Sequence, residues 1–214
     1  MTKIIMQLDW FQALADVFKS DKLSKISKGI DFAITKHGIK SVYPKKELIF
    51  KAFELTPLTT IKAVMIGLEP TAETASGLLF ESTHAPIDSM ADQLIRVFKT
   101  YCKDYPNNFA TDIMSGCTSQ WAEGGVLMLN LSLTARDGQP LRHLLHWSFF
   151  TNKVLEVLKL SENSIAFIPF GRTPTEKVRE LNLPSHHREF QFKEGMFLEV
   201  NKWLISVGRE PIEW

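Results

Sequence analysis

Three segments of the chain place polar side chains directly after short apolar runs. Residues 67–80 (GLEPTAETASGLLF) follow the run IKAVMI and carry Glu69 between Leu68 and Pro70. A carboxylate there can act on a water or a ligand, and it is equally the kind of acid found in a surface turn. Asn130 interrupts the run VLML-N-L at 126–131. A side-chain amide offers one acceptor oxygen and two donor hydrogens, a match for the edge of a nucleobase. It can also cap the following turn. Gly171 and Arg172 open GRTPT after the run SIAFIPF. A helix N-terminus with an arginine suits a phosphate, although the same residues make an ordinary strand-to-helix turn. His143, His146, His186 and His187 have no metal-ligand spacing, and no metal or other cofactor is expected.

The three apolar runs themselves, at 61–66, 125–131 and 164–170, read as buried strands. Helical patterns lie between them. Residues 46–55 put Leu48, Ile49, Ala52 and Phe53 on one face and end before Pro57. Residues 88–101 do the same with Met90, Leu94, Val97, Phe98 and Tyr101, and Asp88 or Ser89 is a suitable N-cap. Residues 147–158 carry Phe150, Val154, Val157 and Leu158. Residues 197–207 carry Leu198, Trp203 and Leu204, with Gly208 and Pro211 as the stop. The first 45 residues are mostly helical in pattern. Apolar strands alternating with helices imply parallel strands covered on both faces, an α/β domain. In such sheets ligands sit outside the carboxyl ends of the strands, so the loops after Ile66, Leu131 and Phe170 should line one crevice.

Composition sets outer limits. The chain has 214 residues, which points to a single domain over 1–214. Lysine and arginine number 25 against 24 acidic residues, a formal charge of +1. Apolar residues make up 44% and charged residues 23%, which excludes a disordered chain, and the Gly and Cys counts exclude a collagen-like repeat and a disulfide scaffold. A strongly basic nucleic-acid binder is not supported, so any DNA contact must use a local patch. The two cysteines, Cys102 and Cys117, are expected to be buried thiols. The longest interior apolar run, 126–129, is far short of the roughly 20 residues a membrane helix needs. The N-terminus lacks a signal-peptide core, and a cytoplasmic, monomeric protein without membrane contact is expected.

Several segments, in order, resemble the family-1 uracil-DNA glycosylases. VYPKKELIFKAFELTPL, GCTSQWAEGGVLMLNLSLTARDGQP, WSFFTNKVLEVL and KWLISVGREPIEW each match a family segment, and the similarity runs from about Tyr43 to Trp214. The resemblance implies a three-layer α/β/α fold with a central four-stranded parallel sheet. It also implies an enzyme acting on DNA that flips a nucleotide from the helix and hydrolyses its N-glycosidic bond. By position, Glu69 stands where the family has its catalytic Asp. Thr71 replaces a Tyr that blocks the uracil 5-position, and Ala72 replaces a His. Phe80 matches the Phe on which the base stacks, Asn130 the Asn that reads the uracil edge, and Ser89 a Ser that touches the DNA backbone. Leu68 completes the implied pocket. Arg136, Arg142, Arg172 and Arg188 are candidate backbone contacts around the crevice.

The departures carry the functional expectation. The loop around Glu69 is two residues shorter than in the family. SHHREFQF (185–192) matches the strand before the loop that bears the family's catalytic His and its Leu wedge, but about a dozen residues of that loop have no counterpart. His186 and His187 are therefore not that His by position. Asp to Glu shifts the carboxylate by about 1 Å, a misplacement that can cost about 10²-fold in rate. A missing donor to a developing anion costs about 10²–10³-fold. Efficient uracil excision is not expected. Loss of the Tyr wall with retention of Asn130 and Phe80 instead points to a bulky 5-modified pyrimidine, a type of base found in the DNA of some bacterial viruses, and so to a defence activity. The alternative is an inactive protein that uses the old pocket to bind DNA, a modified base or a protein partner.

Overall fold

The computed structural model describes residues 4–71, 75–81, 92–107 and 118–214. Three helices come first: α1 (Leu8–Ala13), α2 (Ala15–Lys19) and α3 (Asp21–His37). Strand β1 (Val42–Tyr43) follows, then α4 (Lys51–Leu55) and β2 (Ala63–Gly67). Beyond them lie α5 (Asp92–Asp104), α6 (Ser119–Glu123), β3 (Val126–Asn130), β4 (Ala135–Arg136) and α7 (Leu144–Lys159). The chain ends with β5 (Ala166–Pro169), α8 (Arg172–Glu180), β6 (Arg188–Glu189) and α9 (Met196–Ser206).

The sheet order is β3-β2-β5-β6, and all three pairings are parallel. Every residue of β2, β3 and β5 is buried, which requires helices on both faces. Two aromatic clusters fill those layers. One joins Trp10, Phe18, Phe50, Phe53 and Phe150, with Phe53 and Phe150 centroids 5.5 Å apart. The other joins Tyr101, Trp121, Phe197 and Trp214, with Phe197 and Trp214 at 4.8 Å. Tyr101 Oη also donates to the Trp214 carbonyl at 3.0 Å, tying down the chain's end. The three-layer α/β/α arrangement with a four-stranded parallel sheet is thus present.

Local differences from the sequence reading have local causes. The helix expected over 46–55 divides into a 3-10 turn at Lys46–Leu48 and α4. Phe50 leaves helical geometry (φ −105°, ψ 18°) and packs against Phe53, Trp147 and Phe150, so tertiary packing overrides propensity. Cys102 is exposed, not buried. It sits one 100° step past Tyr101 on α5, off the stripe of Leu94, Val97, Phe98 and Tyr101. Cys117, Asp88 and Met90 lie outside the described residues. On α9 the buried stripe is Met196, Phe197, Val200 and Leu204, and Leu198 faces solvent. The β1–β4 ribbon, which pairs Val42 with Arg136 and Tyr43 with Ala135, had no sequence signal. No helix among the described residues is long and apolar enough to cross a membrane.

Candidate active site at the carboxyl ends of the sheet

Strand register brings the three chemistry-bearing loops together. Gly67 and Asn130 are direct partners across β2 and β3, and Ile66 pairs with Pro169 of β5. The backbone continues to pair beyond the strands. Leu131 and Ser132 donate to the carbonyls of Gly67 and Leu68 at 3.0 and 2.8 Å, and Phe170 donates to Ile66 at 2.8 Å. The loop after β2 then turns back, and Leu79 N–H donates to the Met128 carbonyl at 3.1 Å. Glu69, Phe80, Asn130 and Phe170 are therefore gathered at the carboxyl ends of the strands.

Asn130 is 6% exposed, and its Oδ1 has no hydrogen-bond partner among the described residues. Leaving such an oxygen unpaired costs about 1–3 kcal/mol, so a donor arriving here regains that energy. The amide is held by shape. A Cβ on Gly67 would come within 2.1 Å of Leu79 Cδ1 and 2.9 Å of Asn130 Oδ1. Glycine is what lets the strand end lie against the amide.

Phe80 is half-buried, and its ring meets Phe170 edge to face at 4.9 Å. Its backbone is left-handed, at φ 66°. Glu81 secures the next position by accepting from Ser76 Oγ, Thr118 N–H and Ser119 Oγ. Leu68 is half-buried and packs on the core, and Thr71 is exposed. Ala72 and Ser89 lie outside the described residues.

Both Glu69 oxygens accept the single N–H of Leu141, at 2.9 and 3.0 Å. Leu141 is itself left-handed (φ 61°) and 47% exposed. Two of the three left-handed non-glycine residues among those described, Phe80 and Leu141, thus border this site. Such positions cost about 1–3 kcal/mol each and collect at functional sites. Tyr43 also belongs here. Burial, then the charges of Asp137 and Glu69, push its phenol above the ordinary value, so it remains a neutral O–H group. Sequence reasoning missed both Leu141 and Tyr43. Asp137-Gly138 marks a turn near Leu141, but nothing in the sequence indicates that its amide reaches back to residue 69.

A second network supports this loop. Trp147 Nε1 donates to Thr134 Oγ1 at 2.7 Å, and Thr134 Oγ1 lies 2.9 Å from His143 Nδ1. An indole N–H only donates, so the threonine hydroxyl proton is free to go to an unprotonated Nδ1. Burial first, then His146, Arg136 and Arg142, lower the His143 pKa to about 4, in keeping with that assignment. His186 and His187 are structural. His187 Nδ1 accepts the Ile165 N–H, and its Nε2 lies 3.0 Å from the Lys159 carbonyl.

The arginines divide. Arg136 and Arg142 lie beside His143. Arg172 opens α8 and pairs with Glu176 at 2.7 Å. Arg188 is not at the crevice: it pairs in register with Ala166, the first residue of β5, and its guanidinium covers Phe190 at 4.9 Å. The parallel register puts it at the amino ends of the strands, opposite the site. The short passage from β6 to α9 is closed by Asp104, which accepts from Gly195 and Phe197 N–H at 2.7 and 3.0 Å. Among the described residues no group of three or more His, Cys, Asp or Glu is placed to hold a metal.

No protein-family model matches the chain. Whole-length relatives do. A uracil-DNA glycosylase of Clostridium beijerinckii is 31% identical over 98% of this chain and 96% of its own length. One of Bacillus cereus (strain AH187) is 31% identical over 98% and 96%. The crystal structure of mimivirus uracil-DNA glycosylase superposes with a TM-score of 0.82 at 17% identity, covering 98% of this chain and 87% of that one, which supports the fold. With relatives this similar along its whole length and a matching three-layer fold, the chain belongs to the uracil-DNA glycosylase family.

Proposed function

We propose that this protein is a DNA glycosylase that hydrolyses the N-glycosidic bond of a pyrimidine carrying a bulky 5-substituent. The observation that carries the reading is the buried Asn130 Oδ1, unpartnered among the described residues, at the same end of the sheet as Glu69 and Phe80. An amide with an unused acceptor selects a ligand edge that presents a donor. Phe80 supplies a ring for the flipped base. Thr71 is small and exposed, which leaves room beside the 5-position where the family has a tyrosine. Leu68 and, by its place in the sequence, Ala72 would complete the pocket. Ser89, Arg136 and Arg172 would contact backbone phosphates.

In the step itself, water adds to the sugar C1′ as the C1′–N1 bond breaks. Glu69 orients the water and takes its proton. The electron pair of the broken bond leaves with the base, and the proton then returns to that base. Leu141 N–H holds the carboxylate in place, and each oxygen keeps further acceptor capacity for the water. Viral DNA with 5-modified pyrimidines would be the substrate source, and attack on it would be a defence activity. The protein would act as a monomer.

A specific observation favours a second reading. Both Glu69 oxygens are already engaged by a backbone amide, as a purely structural carboxylate would be. In that case the pocket binds a modified base without cleaving it. Incubation with DNA carrying unmodified, uracil and 5-modified pyrimidines, followed by alkali, tests the difference. Strand breaks on a 5-modified substrate support hydrolysis. Breaks on none of them leave only the binding reading.

A further inference from the structure

The chain as a whole is nearly neutral, yet one cleft is lined on a single sign. It lies between α3 and the start of α7, with a volume of about 600 Å³. Lys22, Lys25, Arg136 and Arg142 line it with His143 and His146, and no carboxylate does. None of the four permanent cations forms an ion pair with a described residue. Lys22 and Lys25 are exposed, and Lys22 lies over the Phe149 ring at 5.4 Å, which directs it across the cleft toward α7. The crowding of cations is also felt by His143, whose imidazole is held neutral by burial together with His146, Arg136 and Arg142. Four uncompensated cations facing one groove repel one another, and a polyanion relieves that repulsion.

The cleft wall adjoins the base site along the chain. Leu141, whose N–H holds Glu69, is followed at once by Arg142 and His143 in the cleft wall. At its rim Phe32 is 65% exposed, with Lys36 Nζ 5.7 Å from its ring centroid, and an exposed aromatic ring beside a cation accepts a stacked base of any sequence.

We propose that this cleft is a second nucleic-acid site, which binds the phosphodiester backbone of the DNA strand as it runs away from the base pocket, with Phe32 stacking on an unpaired base. The inference rests on the glycosylase-type reading for the direction of the strand. It extends the footprint to the N-terminal helix α3, which that reading leaves without a role. The cleft binds by charge and stacking, so its recognition is independent of sequence.

The test is fluorescence anisotropy of the full chain with labelled single-stranded DNA of about 30 nucleotides and of about 6 nucleotides across a salt series. Each phosphate contact on a single strand contributes about 0.7 to the slope of log affinity against log salt. The double variant K22E/K25E should lower that slope by about 1.4 on the long strand and leave the short strand, which fits the base site alone, unchanged. K22A/K25A should show the same direction. A control reversal at Lys177 and Lys202, away from the cleft, should leave both slopes as they are. An unchanged slope for K22E/K25E on the long strand overturns the proposal, as does an equal fall in the control. Base release from the short strand is scored in parallel. Its absence counts against hydrolysis alone, because the slope change needs no catalysis.

Discussion

Replacing Glu69 by Gln and by Ala separates a catalytic carboxylate from a structural one. In the wild type both oxygens share the Leu141 N–H at 2.9 and 3.0 Å. A hydrogen bond to a charged group contributes about 1.5–3 kcal/mol when sheltered. Glu69 is only half-buried, so about 1–2 kcal/mol is the expected share. Glu69→Ala loses that contact. For a chain of this length it should lower the melting temperature by about 2–8 °C. Glu69→Gln keeps an acceptor oxygen of the same reach, so it should lose less than about 1 kcal/mol. Its neutral amide cannot take a proton from water. Base release on a 5-modified substrate should therefore fall by at least about 10²-fold in both variants, while Glu69→Gln retains wild-type DNA affinity. The assay pairs thermal unfolding with alkali-cleavage kinetics on the same samples. Full activity in Glu69→Gln would refute the catalytic role and leave Glu69 as a tie between two loops.

Three further outcomes follow from the same geometry. Gly67→Ala drives a methyl to 2.1 Å from Leu79 Cδ1 and 2.9 Å from Asn130 Oδ1; it should cost about 1–3 kcal/mol by overpacking and displace the amide enough to weaken base binding, and a variant with wild-type binding would show that the amide is not the reader. Thr71→Tyr should restore a wall beside the base and disfavour a bulky 5-substituent by about 10–200-fold relative to an unsubstituted base, and an unchanged substrate range would contradict the pocket assignment. His143 binds its proton at a pKa of about 4 in the fold against 6.5 otherwise, so between those values the unfolded chain holds more protons; its contribution is complete above about pH 6.5 and is lost as pH falls toward 4, at most about 3 kcal/mol. Urea midpoints followed from pH 7 to 4 should fall less steeply in His143→Asn, and identical slopes would remove His143 as the source.

Much of the sheet was legible because its signal is local. Runs such as VLML are apolar at every position, as a strand covered on both faces requires. The same logic located the crevice, since strand ends in a parallel sheet point one way and carry their loops with them. What stayed hidden depends on contacts between distant residues. Leu141 meets Glu69 across a separation of 72 positions, through a backbone amide that is chemically the same in every residue. The β1–β4 ribbon is two residues long on each side, too short for a period to register. Arg188 illustrates the opposite error. It was expected among the loops around the crevice, but β6 pairs with the first half of β5, and register, which composition does not encode, puts it at the other end of the sheet.

The near-zero net charge takes on a different meaning once the structure is considered. A charge of +1 gives almost no long-range attraction to DNA, and an evenly mixed surface would bind none. Glu176 neutralises Arg172, Glu194 neutralises Lys103, and Asp31 neutralises Lys46, while the four cations of the α3–α7 cleft have no such partner among the described residues. Convergence of four cations on one cleft gives that cleft a local field that a phosphate backbone would meet. Because a few unscreened charges carry the attraction, affinity should fall steeply with salt even though the whole molecule is almost neutral. A nearly neutral molecule with a cationic groove and a buried amide oxygen left without a described partner is the arrangement expected of a protein that touches DNA lightly until one base fits.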